Sequence, residues 1–600
     1  MRRPIVQTLF AASLAWIGCS SDRTEFGNDP IGLGSPDAGA DGADAACSGF
    51  ACSRDLRTVL DCNGNVVQEC PADQACGNGR CLDPCSAAAL NEGSVGCSFT
   101  VPATNTDLYA RGSCLAVFVA NNWTSPATLS FEYKGENKPL DGAVWVPTVE
   151  SGVVKHTRLD GPIPPGGSAV VFVSAEDTGT PEQSIGCPTG VKPVFDKDHA
   201  VYGTGIGNAS FVTADVPVSM YSMFPYGGAK GYYPSAMLLF PTTSFRKNYV
   251  LVSAWGGISD RFGRGLFPNS MPSMTQPGRP TIQIVAVEDD TSIDFLPKVD
   301  LIGGRDIAPA ARNEVTNYKL QRGQVLQLTQ DNELAGSVID TTKPVGVFGG
   351  NSVMNVPSDV GFADIDNSQI PPVSAWGHEY AVLPAPNRSA VVSRGVEKER
   401  DPSVVRLVGA AGGTELVYEP AQPAGAPSTL DAGQLAAFFA ERPFVVRSQD
   451  RDHPFYAAIV MTGAGASATG LGDPEVAMVV PTDQWLDTYG FFSDYSYPYS
   501  SVFVTRRKTG GTFRDVTLDC AGPLTGWTPI TSDFEWTFVE LTHAGDAQTY
   551  PAGTCTDGAH RMKSDGPFAM TVWGFGQAAS YAYPGGAGLR PTSQVHVPVR

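Results

Sequence analysis

Positive charge is scarce in this sequence. Its 600 residues include 41 lysines and arginines against 61 aspartates and glutamates, so the formal net charge at pH 7 is -20. Binding to nucleic acid relies on clusters of Lys and Arg that neutralise phosphates, and electrostatic attachment to anionic lipid relies on polybasic segments. The composition therefore excludes nucleic acid as a partner and excludes an electrostatic contact with a membrane surface.

Recognisable catalytic and metal-binding motifs are also missing. Seven histidines are scattered along the chain, and no H-E-x-x-H, G-x-S-x-G, Walker or dinucleotide-binding motif is present. We therefore expect a protein that is not an enzyme and has no cofactor. An unrecognised hydrolase is the alternative, because a triad assembled in space leaves no motif in the sequence.

We expect no cofactor, and bound calcium is the alternative, because the sequence contains two acidic stretches. Glu288–Asp290 and Asp359–Asp366 offer carboxylate oxygens, the ligands that Ca²⁺ prefers. Neither stretch has the spacing of a known calcium-binding loop. Solvated turns are therefore the simpler interpretation.

Charged residues of the kind that favour long helices are sparse. They make up 17% of the chain, whereas 66 glycines and 47 prolines supply many turns. This composition predicts an all-β protein built from short strands. Beyond the first twenty residues there is no apolar run long enough for a transmembrane helix.

The N-terminal residues predict export. Two arginines and a short apolar run within residues 1–19 are typical of a lipoprotein-type signal peptide that ends at a lipidated Cys19. Trp16 stands where such signals usually have leucine, so an ordinary signal cleaved nearby is the alternative. Residues 20–46 are small and acidic and are predicted to be a disordered linker. We expect an exported protein held at the outer membrane or cell surface by the lipid alone.

Cysteine is concentrated in one short region. Eight of the thirteen cysteines lie within residues 47–97, and the number left after Cys19 is even. Both facts predict a small disulfide-rich module, because exported modules of this size depend on disulfides. Zinc is the alternative, but the module has no C-x-x-C pair. Cys520 and Cys555 are the only cysteines near the C-terminus and are predicted to pair.

A proline that follows closely after Asp or Thr opens an apolar run four times. These prolines, at positions 217, 344, 454 and 567, are 127, 110 and 113 residues apart. Near-regular spacing of this kind indicates a repeated structural unit. Proline at the start of a strand removes no hydrogen bond from the sheet, which suits this position.

A second phrase has proline, an aromatic residue and tyrosine at four-residue intervals. It predicts a helical turn that runs into a strand and joins one unit to the next. The residues between these three differ from copy to copy, so the phrase is not interpreted as an active site. The copies are Pro241, Phe245 and Tyr249, then Pro372, Trp376 and Tyr380, then Pro481, Trp485 and Tyr489.

We predict about four homologous antiparallel β units of ~110–130 residues. Each is expected to have about five strands and to contain a hairpin, such as Leu115–Ala120 with Ala127–Tyr133. Tandem sandwiches and a propeller-like body are both compatible with this pattern. The predicted boundaries of the units are 98–240, 241–365, 366–475 and 476–600.

Three phrases resemble the IgGFc-binding protein N-terminal domain family. They are Tyr232–Pro241, Ile284–Asp290 and, most specifically, Gln369–Gly377. The resemblance covers about residues 200–590, and the Cys-rich layout is similar to that of myxobacterial surface lipoproteins. It implies an extracellular binding or adhesive module without known catalysis. It does not by itself imply an immunoglobulin ligand.

Two segments are candidate binding sites. Residues 256–280 form a longer connection than their counterparts and contain Arg261, Phe262, Arg264 and Phe267, and Arg with aromatics is typical of interface hot spots. The alternative for this segment is an insertion that folds back on its own unit.

The second segment contains Tyr495 and Tyr497, whose rings suit stacking on a sugar or a protein. Packing in the core is the alternative for these rings. The predicted function is a non-enzymatic cell-surface binding or adhesion lipoprotein for an extracellular protein or glycoprotein. The competing prediction is a secreted carbohydrate-binding or carbohydrate-active protein.

Overall fold

A computed structural model describes residues 49–53, 55–106, 110–150, 153–178, 184–231, 233–256, 278–395 and 401–600. These residues belong to one compact unit, Gly49–Arg600. No helix within them is long and apolar enough to cross a membrane. The predicted signal peptide, its Cys19 and the linker lie outside the described residues.

The N-terminal part of the unit is a small disulfide-bonded module, as predicted. Three disulfides, Cys52–Cys76, Cys70–Cys81 and Cys85–Cys97, cross-link it, and Cys62 is disulfide-bonded as well. Its elements are β1 (Phe50–Cys52), β2 (Thr58–Asp61), β3 (Val66–Glu69), β4 (Ala75–Gly77), β5 (Arg80–Leu82) and α1 (Pro84–Asn91).

Four repeats of antiparallel strands follow. The first contains β6 (Gly96–Val101), β7 (Leu115–Ala120), β8 (Leu129–Tyr133), β9 (Glu136–Lys138), β10 (Val144–Glu150), β11 (Val153–Arg158), β12 (Ser168–Ser174), β13 (Gly205–Asn208), β14 (Ser210–Phe224) and β15 (Ser235–Leu239). The second contains β16 (Arg246–Val250), β17 (Pro280–Ala286), β18 (Thr291–Leu296), β19 (Thr316–Leu320), β20 (Gln324–Thr329), β21 (Val338–Met354) and β22 (Asp364–Ile370).

The third and fourth repeats follow the same order. The third contains β23 (Glu379–Val382), α2 (Arg388–Val392), β24 (Ser403–Gly409), β25 (Thr414–Glu419), β26 (Thr429–Leu430), β27 (Leu435–Ala440), β28 (Phe444–Ser448), β29 (Phe455–Met461) and β30 (Glu475–Met478). The fourth contains β31 (Leu486–Ser493), β32 (Tyr499–Arg507), β33 (Val516–Leu518), β34 (Gly522–Pro523), β35 (Thr528–Pro529), β36 (Phe534–His543), β37 (Asp546–Tyr550), β38 (Gly553–Cys555), β39 (Gly558–Gly576) and β40 (Ala579–Pro584).

Each repeat is a two-sheet sandwich, and the third shows the plan most simply. Its outer sheet has the order β23-β28-β25-β26, and its inner sheet has the order β27-β24-β29-β30. Phe438, Val446 and Ile459 are among the apolar side chains buried in its core. Burial of these faces against each other is the main stabilising contribution to such a unit.

In the other repeats a single long strand serves both sheets. The first half of β14 pairs with β6 and β8, and its second half pairs with β7 and β15. Pro217 lies between the two halves, and Pro344 and Pro567 lie at the same place in β21 and β39. In the third repeat the strand is interrupted there, because Pro454 falls between β28 and β29. The repeated proline therefore marks the corner between the two sheets.

The predicted hairpins are wrong. β7 and β8 do not pair with each other, since β7 joins the second half of β14 and β8 joins the first half. The connection between them passes from the inner sheet to the outer sheet instead of making a tight turn. The alternating sequence is the same for both arrangements, because alternation reports one buried face and does not identify the neighbouring strand.

The four sandwiches form a closed ring. The last strand of each inner sheet, here called the inner edge strand, lies beside the next one, in the cycle β15, β22, β30, β40 and back to β15. A cavity of about 10 Å³ on the axis of this ring is lined by all four inner edge strands. A space of that size holds about one water molecule, so the axis is packed and not an open channel. The repeats are therefore sandwiches that are arranged around an axis like propeller blades.

The Pro-aromatic-Tyr phrase connects successive sandwiches. In each copy a 3-10 turn follows the proline, namely Thr242–Ser244, Val373–Ala375 and Thr482–Gln484. The next strand then joins the outer sheet of the following sandwich, as β16 does with β21. These junctions divide the chain at Pro241, Pro372 and Pro481, whereas the predicted boundaries at 366 and 476 lie within β22 and β30.

The C-terminal residues 585–600, here called the strap, cross the junctions. Leu589 N–H donates to the Glu92 carbonyl over 2.6 Å, just before the first sandwich. Gln484 Nε2 donates to the Arg590 carbonyl over 2.8 Å at the last junction. Asn248 exchanges two hydrogen bonds with Val597 at the first junction. The strap therefore links all parts of the ring at one end, here called the junction end.

Candidate functional site at the loop end of the ring

The end opposite the junctions, here called the loop end, is where the inner sheets begin and finish. Each long strand ends there and each inner edge strand starts there, as the pairings Phe224 with Ser235 and Met461 with Glu475 show. Hydrogen bonds between sandwiches align these ends, since the backbone N–H of Asp473 donates to Ser580 Oγ over 2.8 Å. Connections from all four sandwiches therefore reach one surface.

A groove of about 530 Å³ opens at the loop end of the third sandwich. Its walls are the connection that follows β25 and the turn between β27 and β28. That turn lies at the loop end because Ala440 pairs with Ser403 and Phe444 pairs with Val382. The lining is mostly apolar and rigid, and includes Pro420, Pro423, Pro443, Phe439, Phe444, Ala421 and Ala424, with Gln422, Glu441 and Arg442 at its polar edge.

The first predicted binding segment begins and ends at the same surface. Arg261, Phe262, Arg264 and Phe267 lie outside the described residues. The residues on either side are described: Asn351 Nδ2 donates to the Gly256 carbonyl over 3.3 Å, and a Cβ added at Gly278 would meet the backbone of Val353. Both therefore adjoin the last residues of β21.

The second predicted segment lies within the ring. Tyr497 is 3% exposed, and its ring packs against that of Tyr581 with 4.7 Å between centroids. The hydroxyl of Tyr495 donates to the Pro147 carbonyl of the first sandwich over 2.9 Å. Tyr495 therefore connects the fourth sandwich to the first, whereas Tyr497 packs against Tyr581 of its own sandwich. Burial raises the pKa of both phenols.

Buried arginines hold the connections at the loop end in place. Arg388 is fully buried, pairs with Asp401 at 3.1 Å and donates to the Thr462 and Leu471 carbonyls over 2.8 and 3.0 Å. It thereby fixes the connection after β23 against the one after β29. Arg406 donates to the Ala254 carbonyl over 3.0 Å, from the third sandwich to the second. Charge-assisted bonds of this kind are stronger than neutral ones, so these connections are well anchored.

Four carboxyl groups are buried beneath the loop end. Asp364 and Asp366 lie at the start of β22, Glu475 is the first residue of β30, and Asp473 lies two residues before it. All four are at most 2% exposed. Asp366 and Glu475 hydrogen-bond to one another through their side chains. We call these four residues the axial carboxyls. Burial raises the pKa of Asp366 to about 7, and it raises the pKa values of the other three well above their usual range.

Metal-like spacing occurs elsewhere in the described part of the chain. Asp519, Cys520 and His560 are the one described group of at least three potential ligands whose atoms lie within 4.8 Å of one another. Cys520 is bonded to Cys555 with an S–S distance of 2.08 Å, the pair expected from the sequence. The sulfur is therefore engaged in a disulfide and is not a thiolate ligand.

The acidic turns that suggested calcium differ in their surroundings. Asp290 pairs with Lys319 at 2.8 Å, which holds the pKa of this carboxyl below its usual value, through hydrogen bonds first and the charge second. Lysine therefore neutralises the negative charge of Asp290 in this turn. In the other stretch, Asp364 and Asp366 belong to the axial carboxyls.

Sequence reasoning missed the groove and only partly found the axial carboxyls. The acidic stretch that contains Asp364 and Asp366 was expected to be a solvated turn, but these two carboxyls are buried. The groove has a signal in the sequence, since Pro420, Pro423 and Pro443 cluster around two turns. The axial carboxyls have a weaker signal: Asp364 and Asp366 alternate at the start of a strand, as Asp473 and Glu475 nearly do. Their proximity comes from the ring, and no local pattern reports it.

Comparison with known proteins agrees with the resemblance in the sequence. The sequence profile of one family, described as IgGFc binding protein, matches residues 235–574. The matched region begins with β15 and ends two residues before β39 does, so it spans the axial carboxyls and the groove. No curated protein matches the chain.

Proposed function

The chain belongs to the IgGFc-binding protein family, and from this we propose that it is a non-enzymatic extracellular protein that binds a protein or glycoprotein through the loop end of its ring. The disulfides support an extracellular location, because such bonds persist in oxidising compartments. The strap occupies part of the junction end, whereas the loop end has connections from all four sandwiches, so we place the partner at the loop end.

The groove of the third sandwich is the observation that carries this proposal. Its volume of about 530 Å³ is in the range that accommodates a ligand group, and three prolines keep its walls rigid. Binding to a preformed surface costs less conformational entropy than binding that orders a loop. Phe439, which is partly exposed, offers an apolar surface for a side chain of the partner, with Glu441 and Arg442 at the rim.

The buried state of the titratable clusters supports a role in binding without catalysis. The pair of Asp366 and Glu475 resembles an acid–base pair in composition, but both side chains are at most 2% exposed. The cavity beside Asp366 measures about 10 Å³, enough for a single water. This cavity leaves no room for a substrate beside the Asp366 carboxyl.

The test uses the full chain against an array of extracellular proteins and glycoproteins that includes an immunoglobulin Fc fragment, with a glycan array in parallel. Ala424 is exposed on the groove wall, so Ala424→Trp fills the groove without disturbing the core. We expect the substitution to weaken binding to the protein or glycoprotein partner by about tenfold or more, which corresponds to about 1.4 kcal/mol.

Gly412→Trp is the matched control. Gly412 is exposed in the turn between β24 and β25 of the same sandwich, and a Cβ added there would meet no atom within 4 Å. This turn lies at the junction end, so the control should retain the affinity. Equal loss of affinity in both variants would rule out the groove as the binding site. Binding to free glycans alone would contradict the proposed protein or glycoprotein partner and favour the carbohydrate alternative.

We also propose that the mature protein is lipid-anchored at Cys19 and held at the outer membrane or cell surface. The apolar run before this cysteine supports the proposal. Cys19→Ser should abolish labelling by a fatty-acid analogue and release the chain from the membrane fraction. Labelling that persists in the variant would show that the cysteine is not the attachment site.

A further inference from the structure

The axial carboxyls connect three of the four sandwiches. The Asp366 carboxylate accepts from the backbone N–H of Val476 over 3.3 Å, which joins the second sandwich to the third. The carboxylate of Asp364 accepts from the backbone N–H of Ser580 over 3.4 Å, which joins the second to the fourth. Asp364 and Asp473 face each other, as Asp366 and Glu475 do. Acidic groups therefore meet at the contact between inner edge strands.

No cation is available to neutralise all four groups within the described residues. Arg406 of β24 faces Asp366, but its guanidinium is ion-paired with Glu333. Arg388 of α2 faces Asp473, but it is ion-paired with Asp401. Two arginines already shared with other carboxylates cannot compensate four buried charges, and leaving a buried carboxylate unpaired is costly.

The remaining neighbours are neutral or acidic. Tyr456 of β29 faces Asp366, and Tyr497 faces both Asp364 and Glu475. Asp494, which precedes β32, also acts on Tyr497 and adds a further acidic group. Two carboxylates that approach to hydrogen-bonding distance need a proton between them, since each oxygen is otherwise only an acceptor.

We infer that the axial carboxyls retain protons in the folded chain and make closure of the ring pH-dependent, with the ring held most firmly at acid pH and weakened as the pH rises towards neutrality. The geometry supports this through the two facing pairs and their shared position between sandwiches. The inference does not rest on the proposed binding function.

The direction follows from proton linkage. An ordinary aspartate in the unfolded chain has a pKa of 3.8, whereas burial raises that of Asp366 to about 7. Between these values the folded chain holds a proton that the unfolded chain has lost. The stabilisation from this proton is therefore fully present below about pH 4 and is lost as the pH rises to about 7. For each proton that only the folded chain holds, the unfolding equilibrium constant should rise about tenfold with each unit increase in pH within that window.

The experiment measures urea unfolding of the full chain from pH 5 to pH 8. The wild type is compared with the double variant Asp366→Asn and Glu475→Gln, whose amides have the shape of the protonated groups but do not titrate. We expect the unfolding constant of the wild type to rise steeply with pH and that of the variant to rise at least about tenfold less per pH unit. Glu314→Gln, at an exposed carboxylate, should keep the wild-type slope.

A second measurement covers the outcome in which the double variant does not fold. At pH 6.5 exposed carboxyls are ionised, so a protonated-carboxyl infrared band in the folded wild type reports buried acids, and this band should vanish on unfolding in urea. A wild-type slope equal to that of the double variant, or the absence of the infrared band, would overturn the inference.

Discussion

The hydroxyl of Tyr249 donates a hydrogen bond of 2.8 Å to the backbone carbonyl of Val345 and accepts one of 3.2 Å from the backbone N–H of Arg246. Tyr249 ends the first junction phrase, and Val345 follows the corner proline of the second sandwich. The same contact recurs from Tyr489 to the Phe568 carbonyl at 2.5 Å. The two repeated phrases of the sequence are therefore bonded to each other.

Tyr249→Phe should destabilise the protein by about 1–3 kcal/mol, because it leaves the Val345 carbonyl buried without its donor. Urea unfolding measures the change. Tyr550→Phe is the control, since that hydroxyl also donates to a carbonyl, at 2.9 Å from Glu540, but in a half-buried hairpin. A loss at Tyr249 no larger than the loss at Tyr550 would contradict a special role for the junction tyrosine.

Gly377→Ala should weaken the contact between two junctions. A Cβ at Gly377 would lie 2.2 Å from Cβ of Pro481, and both atoms belong to rigid positions. Overpacking of this kind costs about 1–3 kcal/mol. The matched control is Gly412→Ala, which adds the same methyl group in open space. Gly377→Ala should unfold at a lower temperature than Gly412→Ala. Equal melting temperatures would show that the two junctions can move apart without loss of stability.

How much of this arrangement the sequence predicts depends on the range of the contact. The junction turn and the repeated proline are local, and their spacing identified both as repeated features. The proline was expected to open a strand, however, and in three repeats it lies inside a long strand at the corner between the two sheets. Only three copies of the tyrosine phrase exist, because the first sandwich has Phe99 at the equivalent position. Gly96 pairs with Val218 there as Arg246 pairs with Val345 in the second sandwich. Phe99 follows Gly96 by three residues, as Tyr249 follows Arg246. The partner of each tyrosine is about 75 to 96 residues away, and no pattern reports that pairing.

The candidate site was less predictable than the fold. Tyr497 is of a residue type that is common in ligand-binding sites, but it lies in the core. Its burial depends on strands that pack around it and are distant in the sequence. The groove depends on two turns that are close in space because β25 and β27 flank the same sandwich. Position in the ring, and not residue type, separates these two outcomes.

Removal of residues 587–600 should destabilise the ring. The deletion takes away the bond from the backbone N–H of Ser94 to the Ala587 carbonyl, at 2.8 Å, and exposes the surface that Leu589 and Val597 cover. Lost hydrogen bonds and apolar burial together should cost more than about 4 kcal/mol. Deleting residues 599–600 alone serves as the control. A full truncation that melts like the wild type would show that the strap is dispensable.

Cys520 and Cys555 close a loop of 35 residues in the fourth sandwich. Replacing both with serine should lower stability by about 2–4 kcal/mol, chiefly because the unfolded chain gains freedom. Peptide mapping under non-reducing conditions should recover the two cysteines in one linked fragment. Two free thiols at these positions would refute the pairing, whatever the stability of the variant.

Closure of the ring brings together residues that are far apart in the sequence. Ser94 and Ala587 are 493 residues apart in the sequence, yet their hydrogen bonds complete the ring. The first sandwich can form early in folding, but it lacks its last neighbour until β40 and the strap are in place. Closure over so long a separation is slow because the entropy of the intervening chain opposes it. A chain that is still folding is therefore an open series of sandwiches, and the ring closes only when β40 meets β15.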